Sequence, residues 1–296
     1  MPVSGKHGFR QSSAGMHEIL ATQNLSPNVT RLDVRAPRIA QIRQPGQFVI
    51  VRRANDSERI PLTIADADPA AGSITLVIQA VGKSTNDLVA LKPGDSIRDV
   101  AGPLGHPTEM IGTGHALCIG GGVGTAVVHP IAQGLNRCGV KVTSVIGGRS
   151  KEWVIFEPEL RRLGDVVVCT DDGSCGRKGF VTDAAKEILA TQKIDIVYAV
   201  GPVPMMRAVA NLTRPLGVHT VVSLNPVMID GTGMCGGCRV SLGNETKFAC
   251  VDGPEFDGHQ VNFDELMDRL SAYREFEQQS LACAAEKCRL EQAAKK

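Results

Sequence analysis

The amino-acid sequence predicts an antiparallel β-barrel followed by a doubly wound parallel α/β sheet, with a small C-terminal lobe and a closing helix. Three observations carry that expectation. Residues 17–110 break into short β segments separated by turn residues at spacings of roughly 8–12, the pattern of a small antiparallel barrel or sandwich. From His115 to Asn225 apolar strands alternate with helical stretches, which implies parallel strands joined by right-handed crossovers. Residues 226–258 then turn to Gly, Cys and Asp with little periodicity, and a lobe of that kind needs a staple, which a metal would supply.

Taken in order, the barrel segments are HEILATQNL, VTRLDVRA, GQFVIVRR, SITLVIQA and DSIRDVAG. RIPLTIAD at 59–66 belongs with them, and its Pro61 fits an edge or a bulge because proline cannot donate to a ladder. In the α/β part, HALCIGG precedes the helix GTAVVHPIAQGLNRC, and KVTSVIGG precedes the expected helix KEWVIFEPELRRL. DVVVCTDD leads to VTDAAKEILATQ, DIVYAVG to VPMMRAVANLTRPL, and HTVVSLN closes the series. A last helix is expected from Phe263, with Asn262 as N-cap and Glu265 three residues later. The expected division is a disordered leader at 1–15, the barrel at 16–111, the α/β unit at 112–225, the lobe at 226–262 and the helix at 263–296.

Composition narrows the function classes. The 296 residues leave room for two domains, and 43% are hydrophobic. Net charge is +1, with both signs well mixed, so no electrostatic footprint for nucleic acid or an anionic membrane exists. No segment approaches 18 uninterrupted apolar residues, and the first fifteen lack the apolar core of a signal peptide. Nine cysteines, an odd number without an export signal, point to a reducing cytoplasm and not to a disulfide framework.

The motif CIGGGVGTAVVHP ends the first α/β strand. Gly121, Gly122, Val123 and Gly124 would let the backbone approach a pyrophosphate at a helix N-terminus. A tight strand-to-helix turn needs glycine regardless of ligand, and that plainer reading stays open. AVGPVPMM, with Gly201, Pro202 and Met205, ends a later strand and would face the same sheet edge. In the barrel, Gly82, Ser84 and Thr85 of IQAVGKST offer N–H and hydroxyl groups to phosphate oxygens, although Gly/Ser loops are common without any ligand. DGTGMCGGC holds Cys235 and Cys238 in a C-x2-C step, and Cys250 follows. Three thiolates are one short of a usual four-ligand metal site. Of the remaining cysteines, Cys118, Cys138 and Cys169 are expected in the core, Cys175 inert, and Cys283 and Cys288 on different helix faces.

A barrel carrying R-x-P-L-T and G-x-S-T, followed by G-G-x-G and G-P-x-x-M, resembles the ferredoxin–NADP reductase superfamily. The resemblance implies FAD against the barrel, at Arg59, Pro61, Leu62, Thr63, Gln79, Gly82, Ser84 and Thr85. It implies a nicotinamide nucleotide at Gly121, Gly122, Val123, Gly124, Gly201, Pro202 and Met205. Two departures stand out: Leu62 occupies the position where the superfamily carries an aromatic residue against the flavin, and Arg59 is one residue further from the hydroxyl than that motif expects. On nucleotide choice, Arg149 in GGRSK can accept a 2′-phosphate, whereas Asp171 and Asp172 oppose one. The resemblance points to NAD(H).

The spacing C-x4-C-x2-C-x11–14-C after such a module is similar to the electron-transfer subunits of dihydroorotate dehydrogenase, which carry a [2Fe–2S] cluster. Here Asp230, Cys235, Cys238 and Cys250 fall on that spacing, with Asp230 at the first cysteine position. SLNPVMIDGTGMCGGCRV and FACVDGPEF resemble the small-subunit family of NADH-dependent ferredoxin:NADP oxidoreductases, also described as sulfide dehydrogenases, which has aspartate there. The implied metal group is [2Fe–2S] on three cysteines and one aspartate, with a tetrahedral zinc as the structural alternative. The implied activity is electron transfer between NAD(H), FAD and the cluster, in an electron-bifurcating heterodimer. Its partner would be a larger flavin and [4Fe–4S] subunit similar to the glutamate synthase small subunit, with ferredoxin served through the complex. The alternatives are a dihydroorotate dehydrogenase electron-transfer subunit and a non-enzymatic redox sensor, which would leave GGGVG unexplained.

Overall fold

The computed structural model describes residues 16–293, so the leader expected at 1–15 lies outside the described residues. The first unit contains β1 (His17–Ser26), β2 (Val29–Arg35), α1 (Pro37–Ile42), β3 (Phe48–Arg52), β4 (Ile60–Asp68), β5 (Ser73–Gln79), α2 (Lys83–Val89), β6 (Ser96–Ile97) and β7 (Asp99–Leu104). Its seven strands form one sheet in the order β6-β1-β2-β5-β4-β3-β7, and every pairing is antiparallel. Alternate residues point inward, and Ile19, Leu32, Val49, Ile64, Ile74 and Leu76 are fully buried there. Pro61 lies in β4, between two neighbours in that order. Its half of the strand, Ile60–Thr63, pairs only with β3, and pairing with β5 begins at Ile64. Pro61 therefore occupies a local edge, where a missing N–H is tolerated.

The second unit contains β8 (His115–Gly121), α3 (Thr125–Arg137), β9 (Lys141–Gly148), α4 (Glu157–Arg161), β10 (Asp165–Thr170), β11 (Arg177–Lys178), α5 (Val181–Thr191), β12 (Ile196–Val200), α6 (Val203–Thr213) and β13 (His219–Ser223). Strands β8, β9, β10, β12 and β13 are parallel and stand in the order β10-β9-β8-β12-β13. The strand order therefore reverses direction between β8 and β12, and such a switch point opens a crevice at the carboxyl ends of the strands. Both faces of the sheet are covered, so the strands read as continuous apolar runs and β8 is buried at every residue. The helix expected over 151–163 shrinks to α4. Phe156 takes a left-handed φ of 60° just before it, and Pro158 at the helix start removes a donor that a longer helix would need.

The remainder contains β14 (Arg239–Leu242), β15 (Glu245–Phe248), β16 (Glu255–Asp257), α7 (Phe263–Ser271) and α8 (Arg274–Ala293). β14 and β15 form a hairpin, while β16 adds an antiparallel strand to the edge of the parallel sheet at β13. The helix expected from Phe263 is two helices. Asn262 caps the first, its side chain accepting from the Glu265 amide at 3.1 Å. Phe263 and Leu266 anchor α7 in the core of the second unit, whereas the described residues of α8 are largely exposed. Among the described residues no helix is long and apolar enough to cross a membrane.

Candidate functional site

The switch point is built from backbone. Gly121 ends β8, Gly124 caps α3, and Gly201 follows β12. A Cβ on Gly124 would collide with the Val200 carbonyl, and one on Gly201 would stand 3.1 Å from the Gly121 Cα. These glycines let the two strand ends touch. Gly122 differs: its φ is +55°, and a Cβ there would meet nothing within 4 Å. It borders open space, where a side chain would fill the cradle. Neither α3 nor α6 has a side-chain cap or an acidic residue in its first turn, so both present an uncompensated positive end at this edge, although Thr125 gives its N–H to the Gly122 and Val123 carbonyls, Pro204 has none, and Met205 gives its own to the Pro202 carbonyl.

A cavity of about 710 Å³ opens there and runs to the barrel. That volume lies within the usual range of small-molecule sites. From the α/β side the wall takes all of Gly121, Gly122, Val123, Gly124, Arg149, Gly201, Pro202 and Met205. From the barrel it takes Pro61, Thr63 and Gln79. Of the two aspartates after β10, Asp171 lines the cavity and Asp172 does not. The Asp172 carboxylate instead accepts from the Ser174 hydroxyl and amide at 2.7 and 2.9 Å, and these bonds hold it below its ordinary pKa. Arg149 lies 5.9 Å from the Trp153 ring centroid, in cation–π range.

The barrel residues divide by strand alternation. Thr63 stands opposite Phe48 across the β3–β4 ladder, and both line the cavity. Leu62 stands opposite Val49 and packs against the barrel core, so its side chain points away from the cavity. Arg59 is exposed and outside the cavity wall, whereas Gly82, Ser84 and Thr85 are half-buried and also outside it. Thr85 Oγ1 accepts from the Val81 and Gly82 amides, and Ser84 donates to Glu58 at 2.8 Å. A Cβ on Gly82 would also meet open space. Of the flavin residues expected from the sequence, these therefore lie apart from the Pro61–Thr63–Gln79 wall.

The four expected metal ligands come together as two pairs. Cys238 and Cys250 are buried, with their Sγ atoms 3.1 Å apart. Asp230 and Cys235 form the other pair, in which Asp230 Oδ2 accepts from the Cys235 amide at 3.1 Å. Asp230 also accepts from the Thr232 amide at 2.9 Å, and that bond is the chief reason its carboxyl is held below its ordinary pKa. Burial and the adjacent Cys238 thiol push the Cys250 thiol upward. Two buried thiols side by side ionise only against a strong positive charge, such as iron. Among the described residues no three His, Cys, Asp or Glu side chains gather closely enough to hold one metal ion. A two-iron cluster takes two ligands on each iron, and the two pairs fit that division.

One apolar cluster connects the two sites. Phe48, Ile50 and Met228 pack with Cys238, Ala249 and Cys250, and both Phe48 and Met228 also line the cavity. Gly231, at φ +74°, presses the ligand loop onto the barrel, since a Cβ there would stand 2.6 Å from Leu104 Cδ1. The cysteine pair and the cavity thus share a wall.

Sequence reasoning missed Phe48, Trp153, Met228 and the Ser223–Asn225 segment as cavity residues. The carboxyl end of β13 was a usable signal for Ser223–Asn225, because the ends of β8 and β12 are read by the same rule. Phe48 carried no local signal. Among the other cysteines, Cys118 and Cys169 are buried as expected, and Cys169 also reaches the cavity wall. Cys138, expected in the core, is instead exposed, because it is the C-cap of α3 where the chain leaves the helix, and Cys283 is exposed on α8. The side chain of Cys288 lies outside the described residues.

Comparison with known proteins matches residues 225–262 to the family model described as the iron-sulfur cluster binding domain of dihydroorotate dehydrogenase B. A dihydroorotate dehydrogenase B (NAD(+)) electron transfer subunit homolog from Thermotoga maritima is 46% identical over 88% of this chain and 93% of its own length. The dihydroorotate dehydrogenase B electron transfer subunit of Bacillus caldolyticus is 37% identical over 82% of this chain and 96% of its own. Among solved structures, a chain of an NADH-dependent reduced ferredoxin-NADP oxidoreductase, described for flavin-based electron bifurcation, superposes with a TM-score of 0.86. It is 44% identical and covers 90% of this chain and 97% of that one.

Proposed function

This chain belongs to the dihydroorotate dehydrogenase B electron-transfer subunit family, within the ferredoxin–NADP reductase superfamily, and we propose that it serves an NADH-dependent reduced ferredoxin:NADP oxidoreductase. The observation that carries the electron-transfer reading is the wall shared by the cavity and the cysteine pair through Phe48 and Met228. A nucleotide at the glycine edge, a flavin on the barrel wall and a cluster on the lobe would then lie in series. Bound there, the flavin supplies the conversion between the paired electrons of a nicotinamide and the single electrons of an iron–sulfur centre.

The chain's own residues hold and exclude. Gly122 leaves room for a pyrophosphate, and the positive ends of α3 and α6, with no acidic residue in either first turn, would favour its charge. Pro61, Thr63 and Gln79 would meet the flavin, with Gly82, Ser84 and Thr85 toward its phosphates. Asp171 in the cavity wall disfavours a 2′-phosphate, while Arg149 is engaged with Trp153, and on this balance NADH is the nucleotide. Asp230, Cys235, Cys238 and Cys250 would hold the [2Fe–2S] cluster.

The choice of complex rests on Asp230, which stands where the dihydroorotate dehydrogenase subunits carry cysteine; identity does not separate the readings, at 44% to the bifurcating oxidoreductase chain and 46% to the Thermotoga maritima homolog. The partner would be a larger subunit with its own flavin and [4Fe–4S] clusters, and the complex would divide electron pairs between a high-potential and a low-potential path. The second reading, a dihydroorotate dehydrogenase subunit, is supported by the family model over the ligand lobe. Purification of the chain with its native partner distinguishes them. We expect NADH-dependent reduction of NADP with reduced ferredoxin by the complex and not by the isolated chain. A partner that oxidises dihydroorotate, or full activity from this chain alone, would overturn the assignment.

A further inference from the structure

Helix α7 lies outside the stretch matched to the cluster-binding family, yet it reaches the ligand loop. Phe263 and Leu266 fix it in the same core as Val240 of β14, so one face of α7 is held against the lobe's hairpin. From that platform Arg269 Nη2 donates to the Gly237 carbonyl at 2.9 Å. Gly237 directly precedes Cys238 and follows the Cys235–Gly236 step. The Arg269 Nε is buried and makes no hydrogen bond. Among the described residues this guanidinium has no carboxylate partner, whereas Arg207 on α6 pairs with Asp264 at 2.7 Å. A guanidinium with a buried, unpartnered N–H is unfavourable by itself, and an anionic group held in the neighbouring loop would offset that cost.

We propose that Arg269 is a positioning residue that pins the Cys235–Cys238 loop and raises the reduction potential of the centre held there. The proposal rests on the cluster reading above. Reduction adds one negative charge to a group already ligated by three thiolates and a carboxylate, so a nearby fixed positive charge favours the reduced form. Two properties of arginine are involved, its donor to Gly237 and its charge. Substitution separates them: Arg269→Gln keeps a donor and loses the charge, and Arg269→Lys keeps the charge on a point donor.

The test is an anaerobic dithionite titration of the whole purified chain, followed by electron paramagnetic resonance, with iron and sulfide measured on each sample. In Arg269→Gln we expect the reduced-to-oxidised ratio at fixed potential to fall about tenfold, which for one electron is about 59 mV. Arg269→Lys is expected to stay close to the wild type. A full complement of iron and sulfide in Arg269→Gln with an unmoved potential overturns the proposal. Should Arg269→Gln lose its cluster, Arg269→Lys decides: a retained cluster at the wild-type potential supports the proposal, and loss in both variants overturns it. Absence of iron and sulfide from the wild type would instead remove the cluster reading and this inference with it.

Discussion

The glycine edge and the ligand lobe solve opposite problems. At the edge, the fold makes the proposed site: a Cβ at 124 would strike the Val200 carbonyl and one at 201 would crowd the Gly121 Cα, so backbone and not side chains would meet a ligand. In the lobe, side chains make the site. Asp230, Cys235, Cys238 and Cys250 sit on irregular chain, and little regular structure other than the β14–β15 hairpin supports them. The edge should hold its shape without a ligand, whereas the lobe should depend on one. Among the described residues the cavity wall and the apolar cluster of the lobe share Phe48 and Met228, so damage to one region should leave the other largely intact.

The strongest way to break that comparison is to remove a buried ligand. Cys238→Ala should abolish iron and sulfide incorporation and loosen residues 226–250 to proteolysis, because metal binding supplies much of the folding energy of such a lobe. NADH binding, measured by calorimetry, should persist. Loss of both functions together would show that the two regions fold as one.

The reciprocal substitution acts through the backbone. Gly124→Ala drives a methyl group into the Val200 carbonyl, which cannot yield without separating β12 from α3. We expect a loss of about 1–3 kcal/mol in denaturant unfolding and weak NADH binding, with iron content unchanged. Gly122→Ala sharpens the point. Its methyl meets no protein atom, so the only structural cost is a left-handed φ of about 1–2 kcal/mol, yet it should weaken NADH as much as Gly124→Ala does. Unaltered NADH affinity in Gly122→Ala would mean that no ligand backbone passes over this glycine.

A smaller effect is expected where the two units meet. Glu255 on β16 accepts from the Thr108 hydroxyl at 2.7 Å, between the barrel's final connection and the sheet edge. Desolvation pushes its carboxyl up from 4.5 to about 7, against the lowering effect of that hydrogen bond. The folded state therefore holds a proton that the unfolded chain has released. Stability should fall as pH rises from about 4.5 through about 7 and then level off. Glu255→Gln should remove that slope, melting near the wild type at pH 5 and a few degrees higher at pH 8. Parallel melting curves for both proteins across this range would show that Glu255 titrates normally.

The same contrast explains what was legible in the sequence. The GGGVG and GP turns announced the edge, because close backbone approach demands glycine at strand ends that periodicity had already located. The cysteine spacing announced the lobe, because ligand chemistry is written in residue type. What escaped depends on contacts across the chain. Phe48 matters because β3 carries it to both sites, and Arg269 matters because α7 folds back onto a loop 32 residues earlier. Leu62 was placed with the flavin by motif, whereas strand alternation turns its side chain into the barrel core. The break between α7 and α8 was also invisible, since the charged run Asp264–Glu277 has helical composition throughout.

The central claim is that the two ligand pairs hold a two-iron centre beside a flavin and nucleotide cavity. Iron, acid-labile sulfide, zinc and flavin should be counted on the same anaerobically purified sample of this chain. The account predicts about two irons and two sulfides with one FAD per chain and no zinc. Stoichiometric zinc without sulfide would contradict it.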